Sequence, residues 1–235
     1  MALYVVARVD GRAYRLMGGP EWLARAAKQR ACRIAATTTS YDFACGTVAI
    51  TLDFVTPLLV DDLDLMSRPV TYLTVAARAT DGRRHDVSIY VDMSGEWCVN
   101  LPHERVFWGT VERDGITAMT FRHEHQPVLA EVGDHRRIDW GTAYLAGVTG
   151  RVRTIAGDID ICRDSFVRDG TLTDRGLKPA PRKVDYNSDA VIALAVDLAV
   201  KPRGTAAETV LIGYDDEWSI EYFHQKLRPW WRRDG

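Results

Sequence analysis

The sequence is short of every feature that would commit it to a chemistry at first sight. Its 30 Lys and Arg stand against 32 Asp and Glu, a formal net charge of −2 over 235 residues. That balance excludes a general electrostatic pull toward nucleic acid or an anionic membrane surface. No apolar run approaches the ~18 residues of a membrane-spanning helix. The four cysteines, Cys32, Cys45, Cys98 and Cys162, are far apart and form no CxxC, so zinc knuckles and thioredoxin-type redox motifs are excluded. They read as buried free thiols, with one disulfide open to an exported protein. There is no GxSxG, HExxH, P-loop or GxGxxG, which removes the common hydrolase, zinc-protease and nucleotide motifs. The opening MALYVVARVDGRAYRL has no basic stretch before its apolar run, and reads as a strand, not an export signal.

What is present is strand-like. With 46% hydrophobic residues and this length, the chain buries a core without help from disulfides or metals. Asp-Gly pairs, which suit tight turns because both residues tolerate positive φ, occur at residues 10–11, 81–82, 114–115 and 169–170. The first three lie between strand-like arms and predict three hairpins; the fourth has polar flanks and predicts a loop. Val48, Ile50, Leu52 and Phe54 alternate with polar residues, as do Val87, Ile89, Val91 and Met93, so both runs predict half-buried strands. Residues 190–200 (AVIALAVDLAV) are apolar on nearly both faces, with Asp197 the exception, and predict a central strand, with a buried helix as the rival. Two short helices are predicted, at 20–28 and 215–226; in the second, Asp215 and Asp216 would cap the helix beginning near Glu217. The fold class is all-β: an antiparallel two-sheet β-sandwich, supersandwich-like, with one or two short helices.

The acids at 61–64 are the densest chemical feature. Asp61, Asp62 and Asp64 lie in an apolar segment bracketed by Pro57 and Pro69, which mark strand ends. The segment is expected to cover one open end of the sandwich and bury its leucines there. The aspartates then cap turns, with Arg68 as an ion-pair partner; calcium, which needs six to eight oxygens, lacks a distal Glu and a turn Gly here. His123 and His125, two apart on a strand, share a face, but two imidazoles do not complete a metal site, so they read as an exposed polar strand end. A glycosidase would need two carboxylates about 5–10 Å apart; Asp158, Asp160 and Asp164, and Asp215, Asp216 and Glu217, offer acids but read as solvated or capping groups in loops. No catalytic residue, metal ligand or cofactor is assigned. Of the seven tryptophans, Trp97, Trp108, Trp140, Trp218, Trp230 and Trp231 are candidates for substrate or domain contact, and about half should be core.

The block TPLLVDDLDLMSRPVTYLTVAARATDGRRHDVSIYVDMSGEWCVN at 56–100 resembles the N-terminal domain of the glutaminase A family, as do RVDGRAYRLMG at 8–18, DWGTAYLAGV at 139–148 and YDDEWSIEYFHQKLRPWWRRDG at 214–235. The resemblance implies a β-sandwich over 1–227, lacking its first strands, with 228–235 starting the connection to a helical toroid of six-hairpin-glycosidase type. That toroid, absent from this chain, is the implied partner and the usual seat of chemistry; some members are named glutaminases acting on L-glutamine. The implied parent is exported. The expected function is therefore a non-catalytic domain supporting the toroid, and the alternative is a carbohydrate-binding or substrate-contacting domain. Asp61, Asp62, Asp64, Glu96, Trp97, Trp230 and Trp231 are the expected contacts to a small molecule, sugar or partner domain, with the arginines of the tail pairing with acids across the interface. Neither nucleic acid nor a membrane span is expected.

Overall fold

Period-two alternation decides this architecture, because each strand turns one row of side chains inward and the other outward. The computed structural model describes residues 3–101, 103–174, 182–183 and 190–234. In chain order the strands are β1 (Leu3–Val9), β2 (Arg12–Met17), β3 (Lys28–Ile34), β4 (Thr38–Cys45), β5 (Val48–Val55), β6 (Val70–Ala79), β7 (His85–Ser94), β8 (Arg105–Arg113), β9 (Ile116–His123), β10 (Thr142–Val148), β11 (Val152–Asp158), β12 (Arg182–Lys183), β13 (Ala190–Val200), β14 (Thr205–Asp215), β15 (Ile220–Tyr222) and β16 (Gln225–Leu227). Helix α1 (Leu63–Met66) follows β5 and helix α2 (Ile159–Asp169) follows β11; Gly95–Cys98 and Trp230–Arg232 form 3-10 turns.

One sheet has the order β11-β13-β7-β1-β2 and the other β12-β8-β9-β10-β14-β6-β5-β4-β3, with β15 and β16 as a separate ribbon. Strand pairing is antiparallel throughout these ladders. The two sheets meet across an apolar layer. Val5, Val91, Met93 and Leu194 enter it from the five-stranded sheet, and Ile50, Leu52, Leu73, Phe121 and Leu145 from the nine-stranded sheet. The expected two-sheet sandwich is what forms.

The five-stranded sheet is covered on its second face as well. Helix α2 lays Phe166 over Tyr4, Val6, Tyr90, Ala193 and Ala195, with the Tyr90 and Phe166 ring centres 5.0 Å apart. This is why β13 is buried continuously from Ala190 to Val196, as a central strand should be. It also corrects the half-buried reading of β7, whose residues 89–94 are buried on both faces. Beneath the helix Asp92, fully buried, accepts Nε and Nη2 of Arg163 at 2.7 and 2.8 Å. Arg163 also donates to the carbonyl of Gly19 and lies 4.4 Å over the Tyr4 ring. Burial pushes the Asp92 carboxyl up against the pull of this fork, and opposes the Arg163 charge too, but Asp92 outweighs that and raises the arginine's pKa.

Several local expectations fail for physical reasons. Asp10–Gly11 and Asp114–Gly115 do close hairpins, with positive φ at all four residues. Asp81–Gly82 does not: β6 pairs with β5 and β14, whereas β7 pairs with β1 and β13, so the chain crosses between sheets there. Asp169–Gly170 ends a helix, with Gly170 as its left-handed cap at φ 80°. The acids at 158–164 belong to that helix, and Asp158 caps it by accepting the N–H groups of Asp160 and Ile161. Residues 20–28 are not helical; the Arg15 N–H donates to the Arg25 carbonyl and the Ala27 N–H donates to the Arg15 carbonyl, which adds this segment to the edge of β2. Residues 215–226 are not a helix: Asp215 ends β14 and residues 220–227 form the β15–β16 ribbon, since Phe223 and His224 both take positive φ and make a turn no helix can contain. The described cysteines are all free: Cys45, Cys98 and Cys162 are buried, and Cys32 is exposed on edge strand β3.

The inter-sheet crossing is fastened by His85, which is buried and bonds Asp10 through Nδ1 at 2.6 Å and Asp81 through Nε2 at 2.9 Å. The Asp10 bond, then the Asp81 bond, raise its pKa above 6.5, and the histidine in turn lowers both carboxyls below 3.8. The charged neighbours are Asp86, whose N–H donates to Asp10, and Arg83, whose N–H donates to Asp81. A raised histidine stabilises fully below its unfolded pKa and loses that contribution as pH rises through the folded one; the depressed aspartates lose theirs only as pH falls through their own lowered values. Wild-type melting temperature should therefore fall between mildly acidic and alkaline pH by an amount that His85→Gln abolishes, measured by thermal denaturation across that range. Separately, Arg163→Met strands the Asp92 charge in the core and should cost about 3–5 kcal/mol in urea unfolding, while Asp92→Leu with Arg163→Met should cost much less than Arg163→Met alone.

Candidate functional site

The nine-stranded sheet has an outer face that no helix covers among the described residues. Strand register assigns its rows. Val111, Ala118, Ala146, Leu211, Tyr72 and Val55 are successive cross-strand partners and form one apolar row across six strands. The neighbouring row contains Thr120, Tyr144, Gly213 and Val70. Farther along the strands the same face turns polar, with Thr74 of β6 bonded to Thr209 of β14 and Thr51 of β5 bonded to Asp42 of β4. Beyond the apolar row the loop after β5 stands out from the body. Leu58 is 61% exposed and Val60 69%, and Leu59, Leu63 and Leu65 are exposed as well. The expectation that these leucines are buried is wrong: α1 is a single turn that buries none of its residues.

A cleft of about 620 Å³ opens where this loop meets the C-terminal segment. Val70, Tyr144 and Gly213 line it from the sheet, Asp64 and Arg68 from the loop, and 231–234 from the tail. Two ion pairs frame it. Asp64 accepts Nη1 and Nη2 of Arg233 at 2.6 and 3.1 Å and the indole Nε1 of Trp230 at 2.8 Å. The Arg233 fork, then the Trp230 indole, hold its carboxyl below the ordinary 3.8, with Arg68 adding only charge. Arg68 is thus not the bonded partner; the tail supplies it. Asp215, buried at the end of β14, accepts Nε of Arg232 at 2.9 Å together with Nη2, and it raises the guanidinium's pKa. Each arginine also lies over a tail indole, Arg232 at 4.8 Å over Trp231 and Arg233 at 4.7 Å over Trp230. The tail arginines therefore meet acids of their own domain.

Of the seven candidate contact residues, the structure brings Asp64, Trp230 and Trp231 together. Asp62 caps α1 by accepting the Leu65 N–H at 2.9 Å, and Asp61 is exposed beside it. Glu96 and Trp97 lie in the 3-10 turn after β7, outside the cleft, with Trp97 packed against the core between the sheets. Sequence reasoning missed Tyr144 and the Asp215–Arg232 pair; the odd–even position of Tyr144 on β10 was the available signal for the first. Asp216 is not a helix cap either: it accepts the Ser219 hydroxyl at 2.6 Å. None of the described tryptophans is fully buried; Trp97 and Trp108 only flank the core. His123 is buried, not exposed, and accepts the His125 N–H through Nδ1, with Glu104 4.0 Å from its Nε2. Among the described residues no three histidines, cysteines or acids are grouped as a metal site, and no helix is long and apolar enough to cross a membrane.

The chain is 27% identical over 220 residues to "Glutaminase A" of Aspergillus oryzae, covering 92% of this chain and 31% of that protein. It is 24% identical over 186 residues to "Probable glutaminase/05536" of Arthroderma benhamiae, covering 77% of this chain and 19% of that protein. The chain thus spans less than a third of the length of either relative. Among solved structures it superposes on the GH36 alpha-galactosidase AgaA of Geobacillus stearothermophilus with a TM-score of 0.31 and 11% identity, over 91% of this chain and 28% of that one; a likeness at that level says nothing about chemistry. The resemblance to the glutaminase A family read from the sequence stands. Residues 37–235 match the family model described as "Domain of unknown function (DUF5127)", and the chain belongs to that family.

Proposed function

We propose that this chain is a non-catalytic β-sandwich domain of a glutaminase A-like protein and supports a helical toroid that carries the chemistry. The observation behind this reading is the apolar row from Val111 to Val55, continued by the exposed leucines of the loop after β5. Within the row Val111 and Tyr72 are exposed, Ala118, Leu211 and Val55 are half-buried and Ala146 is buried; a sheet face of this kind normally packs against another layer, and exposed apolar groups beside one another mark an interaction site. The length of the relatives supplies a partner, since more than two-thirds of each lies outside the matched region. The polar half of the same face would stay in water, which sets one edge of the contact. Two of the carboxylates that line the cleft, Asp64 and Asp215, are occupied by guanidinium groups, which disfavours their use as nucleophiles or bases.

The purified chain should release no ammonia from L-glutamine, and turnover that persists through purification overturns the non-catalytic reading. Tyr72→Asp combined with Leu59→Asp should lower binding of an apolar fluorescent dye with an unchanged circular-dichroism spectrum; undiminished dye binding would remove the docking face. A second reading, contact with a sugar, draws on the cleft, where the Tyr144 and Trp231 rings stand among charged groups. Saturable quenching of tryptophan emission by oligosaccharides would support it, and none at millimolar concentration would eliminate it.

A further inference from the structure

We infer that residues 229–234 are a lid on the cleft, hinged at the Arg232–Asp215 pair and closed by a releasable clasp at Asp64. The two attachments differ in kind. The Asp215 side chain is 8% exposed, and it also accepts the Glu217 N–H at 3.0 Å, so this end is built into the sheet. The Asp64 side chain is 56% exposed and Arg233 39%, and Asp64 sits on a one-turn helix that buries nothing. Three donors from the tail converge on that one carboxylate. Trp230, which brings one of them, is itself 49% exposed, so little apolar burial holds it down.

The turn that carries both attachments is stiff. Arg232 and Arg233 donate their backbone N–H groups to Pro229 and Trp230, closing a 3-10 turn, and Arg233 stacks on the Trp230 ring while reaching Asp64. Trp230 and Arg233 therefore leave or dock together. The docked segment contributes one wall of the cleft, and its departure bares the floor of Val70, Gly213 and Tyr144. An exposed ion pair is weakened by mobile ions, whereas a shielded one is screened far less. Salt should thus undo the clasp and spare the hinge.

The test uses the whole chain labelled with 15N, in which the Trp230 indole N–H is assigned by loss of its signal in Trp230→Phe. Raising salt from about 10 mM to about 1 M cuts the screening length from ~30 Å to ~3 Å. The Trp230 signal should then move toward the position it has in Asp64→Asn at low salt. The Trp140 indole, which donates to the Trp218 carbonyl at 3.0 Å, should stay in place. Nitration of Tyr144, read by peptide mass, should be faster in Asp64→Asn than in wild type at low salt, with the circular-dichroism spectra superimposable. A Trp230 signal indifferent to both salt and Asp64→Asn refutes the clasp. An unchanged nitration rate refutes the lid, as does a salt response of Trp140 equal to that of Trp230.

Discussion

Two opposite charges without water around them, Asp92 and Arg163, tie helix α2 to the five-stranded sheet, and the disposition of the remaining surface follows from that bond. Desolvating either group alone would be costly, so each requires the other in place. Once α2 is fixed, the five-stranded sheet is an interior layer, with the core between the sheets on one side and Phe166 on the other. Among the described residues the nine-stranded sheet has no such cover on its outer face. The described residues therefore make three layers with an uncovered outer face, and on that face lie the apolar row, the standing loop and the cleft.

The cleft depends on a second electrostatic arrangement of a different strength. Arg232 and Arg233 are adjacent in the chain, yet one meets a carboxylate set in a strand end and the other a carboxylate on a bare turn. Unequal partners make a segment that is held firmly at Arg232 and loosely at Trp230 and Arg233 on either side of it. The acidic turn that looks like a ligand site in isolation is, in the folded chain, a receptor for the chain's own tail.

Legibility in the sequence followed the range of the interactions. Strands were readable because alternation is local: Val48 to Phe54 and the continuous run at 190–200 carry their burial in their own order. Helix α2 was hidden because the acids at 158, 160 and 164 drew attention from the spacing of Ile159, Cys162 and Phe166, which is helical. The segment at 215–226 misled in the opposite direction, since early acids and a late lysine suit a helix dipole but two consecutive positive φ values forbid the helix. Asp64 could be singled out from composition; its partner, 169 positions away, could not, because nothing local selects Arg233 over Arg68. Which sheet each side of the Asp81–Gly82 turn joins was likewise a matter of long-range pairing.

The distribution of sulfur in this sandwich has a use of its own. Cys45 and Cys98 face the layer between the sheets, Cys162 lies on the buried face of α2, and burial pushes all three thiols up to about 12, leaving them almost wholly uncharged and unreactive. Cys32 stands on the outermost strand of the larger sheet, open to solvent. One molecule thus carries an immediate label site and three timers: reagent taken up at Cys32 counts chains, and later uptake at Cys162 as against Cys45 and Cys98 would tell departure of the helical layer from parting of the two sheets.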